Sequence, residues 1–262
     1  MSTITDSRLR GEGLVVGYGD TPILDGVDAQ VLDGELTVIV GPNACGKSTL
    51  LKALTRMLSP TSGRVLLDDR AIGDFAPKEV ARRLGMLPQA PTAPDGITVS
   101  DLVARGRYPH QGLLKQWSQA DEQAVVDALI AAGVADLADR DVDQLSGGQR
   151  QRVWIAMALA QETPILLLDE PTTFLDIAHQ VEVLNLCRDM RERGITVVAV
   201  LHDLNLAFRY ATRLIVMSQG AIVAEGAPKD VVTAELIEDV FSLPCQIIDD
   251  PQTGTPLVIP LA

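Results

Sequence analysis

Gly41-Pro-Asn-Ala-Cys-Gly-Lys-Ser48, followed by Thr49, matches the pattern G-x-x-x-x-G-K-[ST] at every required position. Upstream, Glu35-Leu-Thr-Val-Ile-Val40 is short, apolar and β-branched; downstream, Ser48 to Met57 places apolar residues at helical spacing. The stretch therefore predicts strand, glycine loop and helix in succession, the context a phosphate-binding loop requires. Gly41 and Gly46 permit a tight turn that presents backbone N–H groups to phosphate oxygens, and the positive end of the helix dipole favours the negative charge. A nucleoside triphosphate is the expected ligand. In that reading Pro42, Asn43, Ala44 and Cys45 build the loop, Lys47 reaches the outer phosphates, Ser48 holds Mg²⁺ and Thr49 continues the site. Ala44 is tolerable in the loop if its φ is negative, and Cys45, near a helix N-terminus, is expected to carry a stabilised thiolate.

Length and composition narrow the setting. A chain of 262 residues with 47% hydrophobic content has enough apolar side chains for one large domain. Its longest apolar runs, such as Ile195 to Leu201, are far short of a membrane span, and Met1 to Arg10 is polar without a signal core. The chain is expected to stay on the cytoplasmic side. Cys45, Cys187 and Cys245 are too few and too scattered for a disulfide framework or a zinc site. A net charge of −13 argues against nucleic acid as a partner, because that affinity comes largely from Lys and Arg on phosphates.

Patterning extends the fold in both directions. Strands are predicted near Gly13 to Val16, Ile23 to Val31 and Leu36 to Val40, with Gly63 to Leu67 and Leu84 to Leu87 after the loop helix. The first of these suggest an antiparallel layer. From Thr98 to Ala160 helical signals dominate; Ser118 with Asp121 fits a capping box, and Val125, Val126, Leu129 and Ile130 are expected as the apolar stripe behind it. Ile165 to Leu168 and Ile195 to Val200 read as strands buried on both faces of a parallel sheet. Between them a helix from about Asp176 to Arg193 carries Ile177, Val181, Leu184 and Met190 on one side and ends at Gly194. Short apolar runs follow Arg213, then a helix ending near Phe241 and a Pro-rich tail.

Two further motifs specify the chemistry. Ile165-Leu-Leu-Leu-Asp169-Glu170 is an apolar strand ending in two carboxylates, suited to Mg²⁺ at Asp169 and to a polarised water at Glu170. Leu145-Ser-Gly-Gly-Gln149-Arg-Gln-Arg152 opens a second helix, Gln149 to Ala160, with exposed backbone donors at its start, a second anion site on the same chain. This segment resembles the signature of ABC-type ATPases. The resemblance implies an α/β P-loop NTPase of ABC type: a parallel core with an N-terminal antiparallel layer in residues 1–89 and 161–262, and an inserted α-helical subdomain in 90–160, all one ABC ATPase domain. It implies ATP and Mg²⁺ as cofactors and a second copy packed head to tail, so that Ser146, Gly147, Gly148 and Gln149 of one chain cover the γ-phosphate on the loop of the other.

The same resemblance assigns the remaining positions. Gln89 matches the glutamine that senses Mg²⁺ and the γ-phosphate, Asp176 the aspartate lying across the dimer interface, and His202 the histidine that contacts the γ-phosphate. Glu170, His202, Lys47 and Gln89 are the expected catalytic set; Ser48, Gln89 and Asp169 the expected metal set. Tyr18 stands where an aromatic stacks on adenine. His110 and His179 read as surface or packing residues. Ala44 stands where many such cassettes have Gly, and Phe174 where Ala is commoner.

With no span of its own, the chain would need separate integral membrane permease subunits, and through them a substrate-binding protein, and would act at the cytoplasmic face of the membrane. Thr98-Val-Ser-Asp-Leu-Val-Ala-Arg-Gly-Arg-Tyr-Pro-His110, continuing to Trp117 and Ser118, is similar to the corresponding segment of importers for ferric siderophores, haem and cobalamin, most of all the ferric-siderophore ATPases. Glu170-Pro-Thr-Thr-Phe-Leu-Asp176 is a form common in that group. Soluble cassettes that work on DNA or ribosomes carry long coiled-coil insertions or two cassettes in one chain, and this sequence has neither.

Overall fold

Alternating burial builds the first hairpin, in which β1 (Leu9–Tyr18) pairs antiparallel with β2 (Thr21–Val31) and Leu9, Leu14, Val16, Leu24 and Val27 are buried. The computed structural model describes residues 7–19, 21–112 and 117–261. Of the predicted stretches, most of the polar N-terminus and residues 113–116 of the siderophore-like segment lie outside these. By internal packing the chain divides into two units, one formed by residues up to Asp74 and from Thr196 onward, the other by Phe75–Ile195.

In the first unit β3 (Leu36–Val40) is buried along its whole length and runs into the glycine loop, after which α1 spans Lys47–Leu54. α1 stops at Leu54 rather than Met57 because Thr55 closes the last turn and Arg56 takes a left-handed φ of 63°. β4 (Ser62–Leu67) and β5 (Arg70–Ala71) complete the antiparallel layer, ordered β2-β1-β4-β5.

The second unit holds α2 (Pro77–Ala81), β6 (Leu84–Leu87), α3 (Val99–Ala104), a 3₁₀ turn at Arg105–His110, α4 (Gln119–Ala131), α5 (Gly147–Ala160), β7 (Ile165–Asp169) and α6 (Ile177–Glu192). β6 and β7 are parallel, with Leu84 opposite Ile165 through to Leu87 opposite Leu168. The capping box at α4 is present as the spacing predicts: Ser118 Oγ accepts from Asp121 N, and the Asp121 carboxylate accepts from Ser118 N. Its buried face differs from the predicted stripe. Ala124, Val125, Ala128 and Leu129 are covered, whereas Val126 and Ile130 are exposed, because the small alanines let the neighbouring helices approach on the adjacent side. In α6 the covered face is Val183, Leu184, Cys187 and Met190; Ile177 is exposed. Gly194, at φ 88°, ends α6 as expected.

The Arg-Gly-Arg-Tyr-Pro segment is more than a helix stop. Arg107 is buried and donates to Asp121 Oδ1 at 3.0 Å, to the Ala160 carbonyl at 2.7 Å and to Glu162 Oε2 at 2.6 Å. A cation on the last carbonyls of α5 is favoured by the helix dipole, and two carboxylates compensate its burial. The neighbouring Gly106 is required by packing, since a Cβ there would strike the Met157 carbonyl.

The chain then returns to the first unit with β8 (Thr196–Val200), α7 (Leu204–Tyr210), β9 (Arg213–Ser218), β10 (Ala221–Gly226), α8 (Pro228–Val231), α9 (Ala234–Phe241), β11 (Cys245–Asp249) and β12 (Pro256–Pro260). β3 lies between β8 and β9 and is parallel to both. The carboxyl ends of all three strands therefore meet one edge, the side on which open parallel sheets hold their ligands. The Pro-rich tail is the hairpin β11–β12, pinned by Asn205 of α7, whose side chain bonds both the N–H and the carbonyl of Val258.

Candidate active site

The glycine loop leaves the end of β3 and folds against the turn between β9 and β10. A Cβ on Gly41 would strike the Met217 carbonyl and reach 2.7 Å from Cys45 Sγ, so only glycine fits there. Gly220 N donates to the Cys45 carbonyl at 3.1 Å, which fixes the far side of the loop. Gly46, at φ 105°, caps α1 without a side chain, so the first amides of the helix face the loop rather than a capping oxygen. Lys47 is 5% exposed, and its Nζ donates to the Gly41 and Pro42 carbonyls, both at 2.8 Å. A lysine so placed, above amides at a helix N-terminus, is chemically equipped to donate to phosphate oxygens.

In this loop the condition set for Ala44 is not met and the expectation for Cys45 is corrected. Ala44 is left-handed, at φ 63°, because the loop curls there whether or not the residue is glycine. Cys45 is buried, and that burial pushes its thiol up, outweighing the nearby Lys47 charge and the backbone hydrogen bonds that favour thiolate. In the same unit Tyr18 ends β1 opposite Thr21 and is 54% exposed, an aromatic face open to stacking. His202 is exposed two residues beyond the end of β8, and Asp203 after it caps α7 by accepting from Leu206 N.

In the second unit the register of β6 and β7 decides the geometry. Leu87 and Leu168 are partners, so two residues further along each chain Gln89 and Glu170 emerge side by side. Gln89 Nε2 donates to Glu170 Oε2 at 2.5 Å, and Thr173 Oγ donates to the same oxygen at 3.0 Å. Glu170 takes a left-handed φ of 54°, a conformation that costs about 1–2 kcal/mol for a residue with a Cβ and that marks functional turns. Asp169 beside it is 2% exposed. Phe174, at φ 64°, is 98% exposed. Asp176 is the N-cap of α6; its Oδ1 accepts from His179 N at 3.0 Å and from the His179 ring at 2.7 Å, bonds that hold its carboxyl below the usual range.

The second helix N-terminus is built by Ser146 and Gln149 as a reciprocal cap: Ser146 Oγ accepts from Gln149 N at 3.3 Å, and Gln149 Oε1 accepts from Ser146 N at 3.1 Å. The helix begins at Gly147 rather than Gln149, because the cap fixes the two glycines in its first turn. Ser146 and Gly147 are exposed, Gly148 is buried.

Oxygen donors for a divalent cation exist in each unit: the Ser48 hydroxyl in the first, the Asp169 carboxylate and Gln89 Oε1 in the second. Among the described residues no cluster of three His, Cys, Asp or Glu could hold a metal. Each of these oxygens is of the kind that suits a hard cation such as Mg²⁺, which takes most of its ligands from water and phosphate.

The ABC transporter family profile matches residues 24–173 of this sequence. The chain is 58% identical over 256 residues to the ferric enterobactin transport ATP-binding protein FepC of Escherichia coli, covering 97% of this chain and 94% of that one. It is 43% identical over 252 residues to the hemin import ATP-binding protein HmuV of Rhodococcus jostii, covering 96% and 86%. Among solved structures, a chain of a metal-chelate type ABC transporter in an inward-facing conformation aligns with a TM-score of 0.83 at 29% identity, covering 98% of each chain.

Proposed function

This chain belongs to the ABC transporter ATP-binding family and is an ATPase of that kind, and we propose that it energises the import of a ferric siderophore. The observation that carries the catalytic reading is Glu170, strained at the end of an apolar strand and oriented by Gln89 and Thr173. The substrate rests on the likeness to FepC, at 58% identity against 43% for the hemin protein.

In this reading the adenine stacks on Tyr18 and the phosphates lie on the amides of Gly41 to Thr49. Lys47, held by two loop carbonyls, donates to phosphate oxygens. Ser48, Asp169 and Gln89 would hold Mg²⁺, which would supply neutralisation of phosphate charge. Glu170 accepts a proton from the attacking water, and His202 meets the γ-phosphate. A single γ-phosphate on the loop leaves the Ser146 turn without a ligand of its own, which supports a head-to-tail pair of copies. There Ser146 Oγ, which accepts from Gln149 N, keeps its own proton to donate to the partner's phosphate. Asp176 and the turn Gly147 to Gln149 lie along that interface.

No described helix is long and apolar enough to cross a membrane, so permease subunits would supply the channel, with this subunit at their cytoplasmic face and a substrate-binding protein beyond them. Tyr108 and Trp117 are exposed beside Asp101 and Arg105 around a surface cavity, the face on which a permease segment would seat. The test is uptake of radiolabelled iron chelates and of haem or cobalamin in cells carrying parent or Lys47→Ala protein. Loss of a ferric siderophore alone supports the reading; loss of haem or cobalamin with every iron chelate unchanged replaces the substrate.

A further inference from the structure

Two glycines open α5, and they are glycine for different reasons. A Cβ on Gly147 would meet nothing within 4 Å. A Cβ on Gly148 would strike the His179 ring at Cδ2, and would lie 2.7 Å from Cγ and 3.0 Å from Nε2. Gly148 is not among the residues with positive φ, so the ring, not the backbone, excludes a side chain there. The imidazole of His179 thus packs against the first turn of the helix that Ser146 caps.

The other edge of that ring is fixed as well. Nδ1 lies 2.7 Å from Asp176 Oδ1, and a carboxylate only accepts, so Nδ1 carries the proton and donates. The same oxygen accepts from His179 N, which leaves the ring little rotational freedom about the cap of α6. One side chain therefore touches both the turn Ser146–Gln149 and the segment that descends from Glu170 through Thr173 to Asp176.

We propose that His179 is a positioning residue for ATP hydrolysis: its ring, oriented by Asp176, sets the Ser146–Gln149 turn against the loop bearing Glu170. The inference rests on the assignment of both elements to the ATPase reaction. It separates two tasks. Nucleotide binding by the loop Gly41–Thr49, in the other unit, does not involve this ring. Hydrolysis does: the turn meets the partner's phosphate and Glu170 serves this chain's own nucleotide, so the ring sets the register between the two sites of the head-to-tail pair. Misplacement of about 1 Å in such an arrangement lowers turnover by roughly tenfold to a hundredfold.

The test uses the full chain with Mg-ATP, measuring phosphate release at saturating and limiting nucleotide, with unfolding midpoints recorded to confirm folding. His179→Ala is expected to lower kcat about tenfold or more with KM within about twofold. His179→Asn, which keeps a donor to Asp176 but not the ring, is expected between that variant and the parent. Gly148→Ala is expected to lower kcat through the clash, and adding His179→Ala to it should restore turnover relative to Gly148→Ala alone, the coupling expected of residues in contact. A His179→Ala kcat within about twofold of the parent overturns the proposal, as does a Gly148→Ala variant unimproved by removing the ring. Glu170→Gln serves as the control: should it turn over normally, the ATPase assignment itself fails, whereas its inactivity beside an active His179→Ala removes only the positioning role.

Discussion

Gln89 and Glu170 are joined by a 2.5 Å hydrogen bond from amide to carboxylate, and the register of two parallel strands puts them there. The residues are 81 apart in sequence, yet each sits two positions past a strand partner, Leu87 or Leu168. Gln89 thereby presents its donor to the proposed base and keeps its carbonyl oxygen for a cation.

Glu170→Gln should lower phosphate release by roughly 10²–10⁴, the loss expected when a general base is removed. The amide oxygen of the variant still accepts from Gln89 and Thr173, so the loop keeps its shape. ATP binding should survive, and size-exclusion chromatography with ATP should show a dimer. Gln89→Ala, which removes both the orienting donor and a proposed metal oxygen, should lower kcat and raise the Mg²⁺ concentration needed for half-maximal phosphate release.

Ala44→Gly should stabilise the fold. A left-handed alanine costs about 1–2 kcal/mol, and the extra freedom of glycine in the unfolded chain returns about 0.4–1 kcal/mol of that. The net gain corresponds to a rise in unfolding midpoint of about 1–3 °C. Ala44→Val should lower it, and a midpoint higher in the valine than in the glycine variant would refute the left-handed assignment.

Acid should weaken the second unit through Asp121. Hydrogen bonds from Ser118 and the Arg107 guanidinium hold this carboxyl at about 2, below its ordinary 3.8. A depressed carboxyl contributes stability above its unfolded value and loses it as pH falls through its folded value. Urea unfolding of the parent should therefore weaken between about pH 4 and pH 2, and the stability gap between parent and Asp121→Asn should shrink over that window.

Thiol reagents should act slowly on the native chain. Burial pushes the Cys45 thiol up, and Cys187, fully enclosed, is pushed up to about 12. Iodoacetamide at pH 7.5 should label both far faster after unfolding in urea, and ATP should change the native rate little. Rapid ATP-sensitive labelling of Cys45 would instead favour an exposed thiolate at the loop.

The chemistry was legible in the sequence because phosphate loops, acidic strand ends and helix caps are local patterns: each of Gly41–Ser48, Asp169-Glu170 and Ser146-Gln149 is specified within a few residues. Burial and left-handed turns were not, because distant packing decides them. Ala44 reads as an ordinary loop residue until Gly41 is seen against Met217, and Cys45 reads as reactive until its surroundings are closed. Val126 and Ile130 are apolar at helical spacing, yet Ala124 and Ala128 take the covered face. His179 carries no sequence signal beyond its type; Gly148, read as a backbone donor, was the indirect clue.

Lys47 enters the reaction with two of its three donors engaged. Its ammonium rests on two carbonyls of its own loop, so an arriving nucleotide meets a charge already partly engaged rather than a bare one. A lone phosphate ion gains little there, whereas a triphosphate can engage the amides of the loop and the lysine together. Orthophosphate is therefore expected to compete only weakly with ATP for the loop.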